Sequence, residues 1–400
     1  MGQFVIDRDA LVAFTQELVR IPSVNRPEDG LTEQPAADLV AGRMRAFGWD
    51  PTIEEVAPGR PNVIAVVEGA SPGPTLLFEG HTDVVTEGDP QAWSHPPFGG
   101  EIVDGRLYGR GSADMKSGVA AMLYATAAVA QAGPFPGRIV VAALVDEEGM
   151  MLGVKDFVAR GHAQGVDAAI VCEPEEREIC TVQKGAMRLR VVAIGRMAHG
   201  AMPDHGVNPL PALARVVELA ATVEAELQAS VGEHQHLGLT YVTPTVLSAG
   251  SAAQMNVIPR EGWVAIDVRT IPGVDHAELR QRLLKGLEAI QDDTRVALAL
   301  EIVEDRPPTE TDVDEPVVRA VAAAHEHVYQ EPAQYGGVPG TTDGTILWRD
   351  AGIPVVVYGP GGKWIAHQAD EYVEVDDIVA CAQVYAHAAH AFLTGATGAT

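Results

Sequence analysis

The fold class that the sequence predicts is layered α/β: a mixed sheet with helices on both faces, interrupted by a smaller two-layer βαββαβ domain. Three observations carry that reading. Short apolar runs end in clusters of Gly, Asp, Glu or Pro, helix-like segments lie between them, and the texture changes to half-buried alternation between about Met187 and Glu304. The runs 62–67, 75–78, 139–145, 168–171 and 354–358 read as buried parallel strands, since a strand covered on both faces is apolar throughout. Segments 9–20, 36–47, 118–132 and 153–160 supply the intervening helices. In the middle stretch, alternation predicts strands at 187–194, 240–248, 261–270 and 295–303, with helices at 208–228 and 276–290. The α/β texture then returns. The layout is therefore one domain in two pieces, 1–184 and 304–400, holding an inserted domain at 185–303.

Bulk properties set the limits. A chain of 400 residues exceeds one average core, and 46% hydrophobic with 21% charged residues is the composition of an ordinary globular protein. The formal charge of −27, from 55 acidic against 28 basic residues, repels phosphate backbones and anionic lipid and excludes nucleic acid as a partner. No run approaches the roughly 18 apolar residues of a membrane span. Asp7, Arg8 and Asp9 stand where a signal peptide needs an apolar stretch. The cysteines, Cys172, Cys180 and Cys381, are odd in number and lack C-x-x-C spacing, which argues against a disulfide framework and for a cytoplasmic protein.

The chemistry gathers at the ends of the apolar runs. In an open α/β sheet, ligands bind beyond the carboxyl ends of the strands. There, 75–78 leads into Glu79-Gly80-His81-Thr82-Asp83, 139–145 into Asp146-Glu147-Glu148, and 168–171 into Cys172-Glu173-Pro174. His81 and Asp83, two apart on an extended chain, point the same way, so the carboxylate can accept from one imidazole nitrogen while the other binds metal. Glu147 and Glu148 are adjacent and face different directions, which lets one ligate metal and the other address a water. Charge at the end of an apolar run is costly unless paired or metal-bound. The loop 109–118, Gly-Arg-Gly-Ser-Ala-Asp-Met-Lys-Ser-Gly, can carry Asp114 deep into such a site; it lacks the spacing of a phosphate loop.

These segments, together with His367-Gln368-Ala369-Asp370-Glu371-Tyr372, resemble the M20 metallopeptidases, the group of acetylornithine deacetylase, succinyl-diaminopimelate desuccinylase, aminoacylase and bacterial glutamate carboxypeptidase. The resemblance spans about residues 10 to 392 in order. It implies that His81 and Glu173 bind one ion, that Glu148 and His367 bind the other, and that Asp114 bridges the two. Asp83 would orient His81, and Glu147 would be the general base. The resemblance further implies a zinc-peptidase-like catalytic domain, with the inserted domain as lid and dimerisation domain. His199 in that domain would stabilise the oxyanion, and Asn256, Arg269 and Thr341 would contact the substrate.

The expected activity is hydrolysis of the amide bond of an N-acyl amino acid by a homodimer holding two divalent ions. Zinc is favoured; cobalt and manganese suit the same donors. A carboxypeptidase or dipeptidase of the same family is the enzymatic alternative, and an inactive metal-binding scaffold the non-enzymatic one.

Overall fold

The structure is a computed structural model that describes residues 4–396, the Pro27 side chain excepted. The described chain forms two compact units. One runs to Thr181, resumes over Thr311–Val338 and continues from Thr342; the other comprises Val182–Glu310 with Pro339–Thr341.

The first unit is built on a mixed sheet. Its strands stand in the order Thr52–Ala57, Arg60–Glu68, Pro136–Leu144, Ser71–His81, Ala168–Val171, Val355–Val357 and Ile179–Gln183. Pro136–Leu144, Ser71–His81, Ala168–Val171 and Val355–Val357 run parallel to their neighbours in this set, so their carboxyl ends share one edge. Alternation along Ser71–His81 divides the interior: Leu76 and Phe78 enter one core, and Leu77 enters the other. Helices Arg8–Val19, Gln34–Ala46, Ser117–Ala132, Pro316–Tyr329 and Val375–Thr394 contribute to the first core, while Leu152–Ala159 and Gly344–Ala351 contribute to the second.

The expectation that 62–67 would be a parallel strand is corrected. Arg60–Glu68 pairs antiparallel with both Thr52–Ala57 and Pro136–Leu144. Turn length explains the direction. Gly59, at φ +72°, reverses the chain out of Thr52–Ala57, and only Gly69 and Ala70 separate Glu68 from Ser71. A parallel neighbour needs a crossover of a dozen or more residues. Pro136–Leu144 fills the place between the two strands instead.

A separate three-stranded sheet joins Glu101–Val103, Arg106–Tyr108 and Tyr372–Glu374, all antiparallel. Its pairing continues one step past Tyr108, where Gly109 N donates to Glu371 O at 2.9 Å.

The second unit has the element order Gly185–Ile194, Leu210–Val231, Tyr241–Ala249, Glu261–Thr270, His276–Thr294 and Ala297–Arg306, which is βαββαβ. The four strands form one antiparallel sheet with Glu261–Thr270 and Gly185–Ile194 at its centre. Every second residue of Glu261–Thr270 is buried, so one face packs on the two helices, through residues such as Val264, Ile266 and Val268. No helix among the described residues is long and apolar enough to cross a membrane.

Candidate metal centre

Four parallel strands deliver the predicted residues to one sheet edge. His81 is the last residue of Ser71–His81, Glu147 and Glu148 follow Pro136–Leu144 closely, and Glu173 lies two residues past Ala168–Val171. His367 arrives on the loop after Val355–Val357, and Asp114 on the turn Ser112–Lys116 ahead of helix Ser117–Ala132. The Asp114–Met115 peptide bond is cis.

Asp114 stands between two groups of donors. Its Oδ1 lies 3.2 Å from His81 Nε2, and its Oδ2 lies 3.2 Å from His367 Nε2. On the first side Glu173 Oε1 is 3.4 Å from His81 Nε2; on the second, Glu148 Oε1 is 2.9 Å from His367 Nε2. Each trio, His81–Asp114–Glu173 and Asp114–Glu148–His367, keeps its ligand atoms within 4.8 Å of one another. Two donors bound tetrahedrally to one zinc at about 2.0–2.1 Å stand about 3.3 Å apart. The spacing and the nitrogen and oxygen donors therefore fit two divalent ions that share Asp114.

The electrostatics of the cluster demand positive charge. Burial pushes the Glu147 carboxyl well above the usual carboxylate range, with Glu173 and Glu148 adding to the effect against His81. Glu173 is pushed up to about 8, first by burial and then by the Asp114 carboxylate. Hydrogen bonds to Asp114 and then to Glu148 raise His367 to about 10. Burial works against charge on Asp114, but hydrogen bonds from His367 and His81 outweigh it and hold the group well below the usual range. Carboxylates crowded into a buried volume favour any neighbouring cation.

Asp83 meets the His81 ring through both its main chain and its carboxylate. The nearest partner of His81 Nδ1 is the Asp83 main-chain carbonyl at 3.0 Å, and the side-chain Oδ1 is farther, at 3.5 Å. Nδ1 therefore carries a hydrogen, so Nε2 is the nitrogen that would bind a metal in place of the proton it shares with Asp114. The Asp83 carboxylate also accepts from Glu147 N at 3.2 Å and Glu148 N at 3.1 Å. One residue thus holds the histidine and the two-glutamate loop together. Glu147 is 8% exposed, with Oε2 4.0 Å from His81 Nε2.

The remaining predicted residues belong to the second unit. His199 is exposed and pairs with Val257 across the short ladder Ala198–His199 and Val257–Ile258, beside the exposed Asn256, whose carbonyl accepts from Gly200 N at 2.7 Å. Arg269 donates from Nε to its near neighbour Asp267 at 2.7 Å. Thr341 accepts from Arg306 Nη1 at 3.2 Å.

Sequence reasoning passed over several supports of the site. Arg60, anchored on the buried Glu33, donates to Asp146 Oδ1 at 2.7 Å, and Asp146 Oδ2 accepts from Met150 N at 3.0 Å, which fixes the turn carrying Glu147 and Glu148. Arg110 and Glu371 form a second buried pair near Asp114 and His367. Nothing in the sequence pattern pairs residues 86 and 261 positions apart.

Comparison with known proteins agrees with this geometry. The model of peptidase family M20/M25/M40 matches residues 77–391. A succinyl-diaminopimelate desuccinylase of Cereibacter sphaeroides is 34% identical over 388 residues, covering 94% of this chain and 96% of its own. A probable succinyl-diaminopimelate desuccinylase of Staphylococcus epidermidis is 27% identical over 412 residues, covering 97% and 99%. Among solved structures, an M20 family metallo-carboxypeptidase from Sulfolobus solfataricus superposes with a TM-score of 0.78 at 19% identity, covering 96% of this chain and 99% of its own. A dinuclear metal binding peptidase of the M20 family from Bacillus subtilis gives 0.72 at 16% identity, covering 96% and 98%. The chain belongs to peptidase family M20/M25/M40 and is a metal-dependent hydrolase.

Proposed function

We propose that the protein is a dinuclear amidohydrolase that removes the acyl group from an N-acyl amino acid, with N-succinyl amino acids as the preferred class. The observation that carries this reading is Asp114, whose two oxygens face His81 and His367 at 3.2 Å each. His81 and Glu173 would hold one ion, Glu148 and His367 the other, with Asp114 between them. Zinc fits the donor set best. When bound, the ions supply positive charge that polarises an amide carbonyl and acidifies a water.

The chain's own residues do the rest. Glu147, buried and therefore reluctant to stay charged, takes a proton from the attacking water and returns it to the departing amine. Its main-chain N–H is held by Asp83, which fixes where the side chain leaves the backbone. His199 supplies a hydrogen bond to the oxygen that becomes negative, and Asn256, Arg269 and Thr341 contact the substrate. Arg269 suits a carboxylate because its fork matches two oxygens, once it is released from Asp267. The likeness to desuccinylases over nearly the whole chain supports a succinyl group. We further assign the protein to the cytoplasm as a homodimer formed through its second unit, in keeping with three free, buried cysteines.

Initial rates on N-succinyl and N-acetyl amino acids, measured beside free dipeptides at equal concentration, test the assignment. The expected result is a kcat/KM for N-succinyl substrates at least about tenfold above that for any dipeptide, a difference of about 1.4 kcal/mol in transition-state binding. Preference for a free α-amine would make the protein a peptidase instead.

A further inference from the structure

Arg110 and Glu371 are almost fully buried, at 2% and 0% side-chain exposure, and form an ion pair between Nη1 and Oε2. Neither side chain is within the donor groups described above. Arg110 lies on the loop that ends in Asp114, and Glu371 lies four residues past His367. Each reaches across to the other's loop. Arg110 Nη2 donates to the main-chain carbonyl of His367 at 3.1 Å. Glu371 Oε1 accepts from the main-chain N–H of Asp114 at 3.1 Å and of Ala113 at 3.0 Å.

We propose that Arg110 and Glu371 are a positioning pair that sets the separation of Asp114 and His367, and hence the affinity of the ion at the Asp114–Glu148–His367 group; the inference rests on the dinuclear reading above. The contacts fall on the backbone of the two ligand residues themselves, so a shift of either loop stretches a charge-assisted hydrogen bond in a buried setting. Further bonds keep the pair in register. Gly109 N donates to Glu371 O, and Asp370 Oδ1 accepts from Ser94 N at 2.7 Å and His95 N at 3.2 Å. The Trp93 ring lies against the Arg110 guanidinium, 5.3 Å from its centroid. The geometry needs a fork: one arginine serves both Glu371 and the His367 carbonyl, and a lysine ammonium is a single point that cannot span both in the same way.

The test uses the full chain, freed of metal, as wild type, Arg110→Lys and Glu371→Gln, titrated with Co(II) and followed by absorption and calorimetry. His367→Ala identifies the equivalent bound at the Asp114–Glu148–His367 group. The expected result is a loss of about 10–100-fold in affinity for that equivalent in both variants, the scale typical of groups that orient metal ligands, with a smaller loss for the other equivalent, which shares Asp114 but not the His367 loop. Amide hydrogen exchange on the metal-free proteins gives a readout independent of bound ion: Ala113 and Asp114 should exchange faster in the variants. Arg110→Lys retains the buried charge and decides the matter if Glu371→Gln fails to fold. Unchanged affinities and unchanged exchange would overturn the proposal, as would a uniform loss of both equivalents together with global destabilisation. Wild-type protein that takes up no pair of ions would overturn the dinuclear reading instead, and the exchange readout would still judge the pair.

Discussion

Glu147 and Glu148 are one peptide bond apart and yet address different histidines, Glu147 Oε2 at 4.0 Å from His81 Nε2 and Glu148 Oε1 at 2.9 Å from His367 Nε2. They stand next to each other on the turn after Pro136–Leu144, and their side chains leave it toward different histidines, which makes the two roles separable. Replacing Glu147 with Gln removes the proton acceptor and keeps the shape. Glu147→Gln should therefore retain both ions and lose about 10²–10⁴ of kcat, measured by metal analysis and initial rates on the same sample. Wild-type turnover in that variant would remove Glu147 from the mechanism. At this scale the sequence was informative where a side chain ends an apolar run, because charge there requires compensation. It was silent where the backbone acts. The spacing of His81 and Asp83 suggested a carboxylate beside the imidazole, which stands there at 3.5 Å; it did not show that the Asp83 carbonyl lies nearer, at 3.0 Å, or that the carboxylate also anchors the Glu147–Glu148 loop. Main-chain groups carry no residue-specific signal.

The metal edge depends on how closely helix Ser117–Ala132 sits against the strand that leads to Glu173. At Gly118 an added Cβ would lie 2.0 Å from the Cys172 carbonyl oxygen, a backbone atom that cannot swing away. An exposed helical glycine exchanged for alanine gains up to about 1 kcal/mol from propensity. Here the sign should reverse: Gly118→Ala should cost about 1–3 kcal/mol in denaturant unfolding, the scale of overpacking a core, and should weaken metal binding because Glu173 is the next residue. A variant as stable as wild type would show that the helix can retreat freely. The parallel strands and the long helices were legible because burial on both faces leaves unbroken apolar runs. The direction of Arg60–Glu68 was not, because it follows from the two short turns around it. Thr52–Ala57 was missed for a related reason: its exposed and half-buried residues, including Glu54 and Glu55, make no apolar run. The strands Glu101–Val103, Arg106–Tyr108 and Tyr372–Glu374, at three residues each, are too short to show a period.

The whole chain carries 55 acidic residues against 28 basic ones, and several of those carboxylates collect in the interior at one edge of one sheet. Surface charge of that sign keeps a protein soluble and away from nucleic acid. The buried carboxylates have no such excuse, and their cost is offset by imidazoles and, on our reading, by two divalent ions. The interruption of the α/β pattern was visible in the sequence as a change from continuous apolar runs to alternation. The grouping of Pro339–Thr341 with the second unit was not, since it depends on folded contacts such as Arg306 to Thr341. The central claim is that Asp114 is shared between two ions, and counting the ions most directly tests it. Metal-free protein equilibrated with zinc and analysed for metal after removal of the excess should hold two ions per chain, and Asp114→Ala should lose both from tight binding. One ion or none in the wild type, or two tightly held ions in Asp114→Ala, would contradict the account.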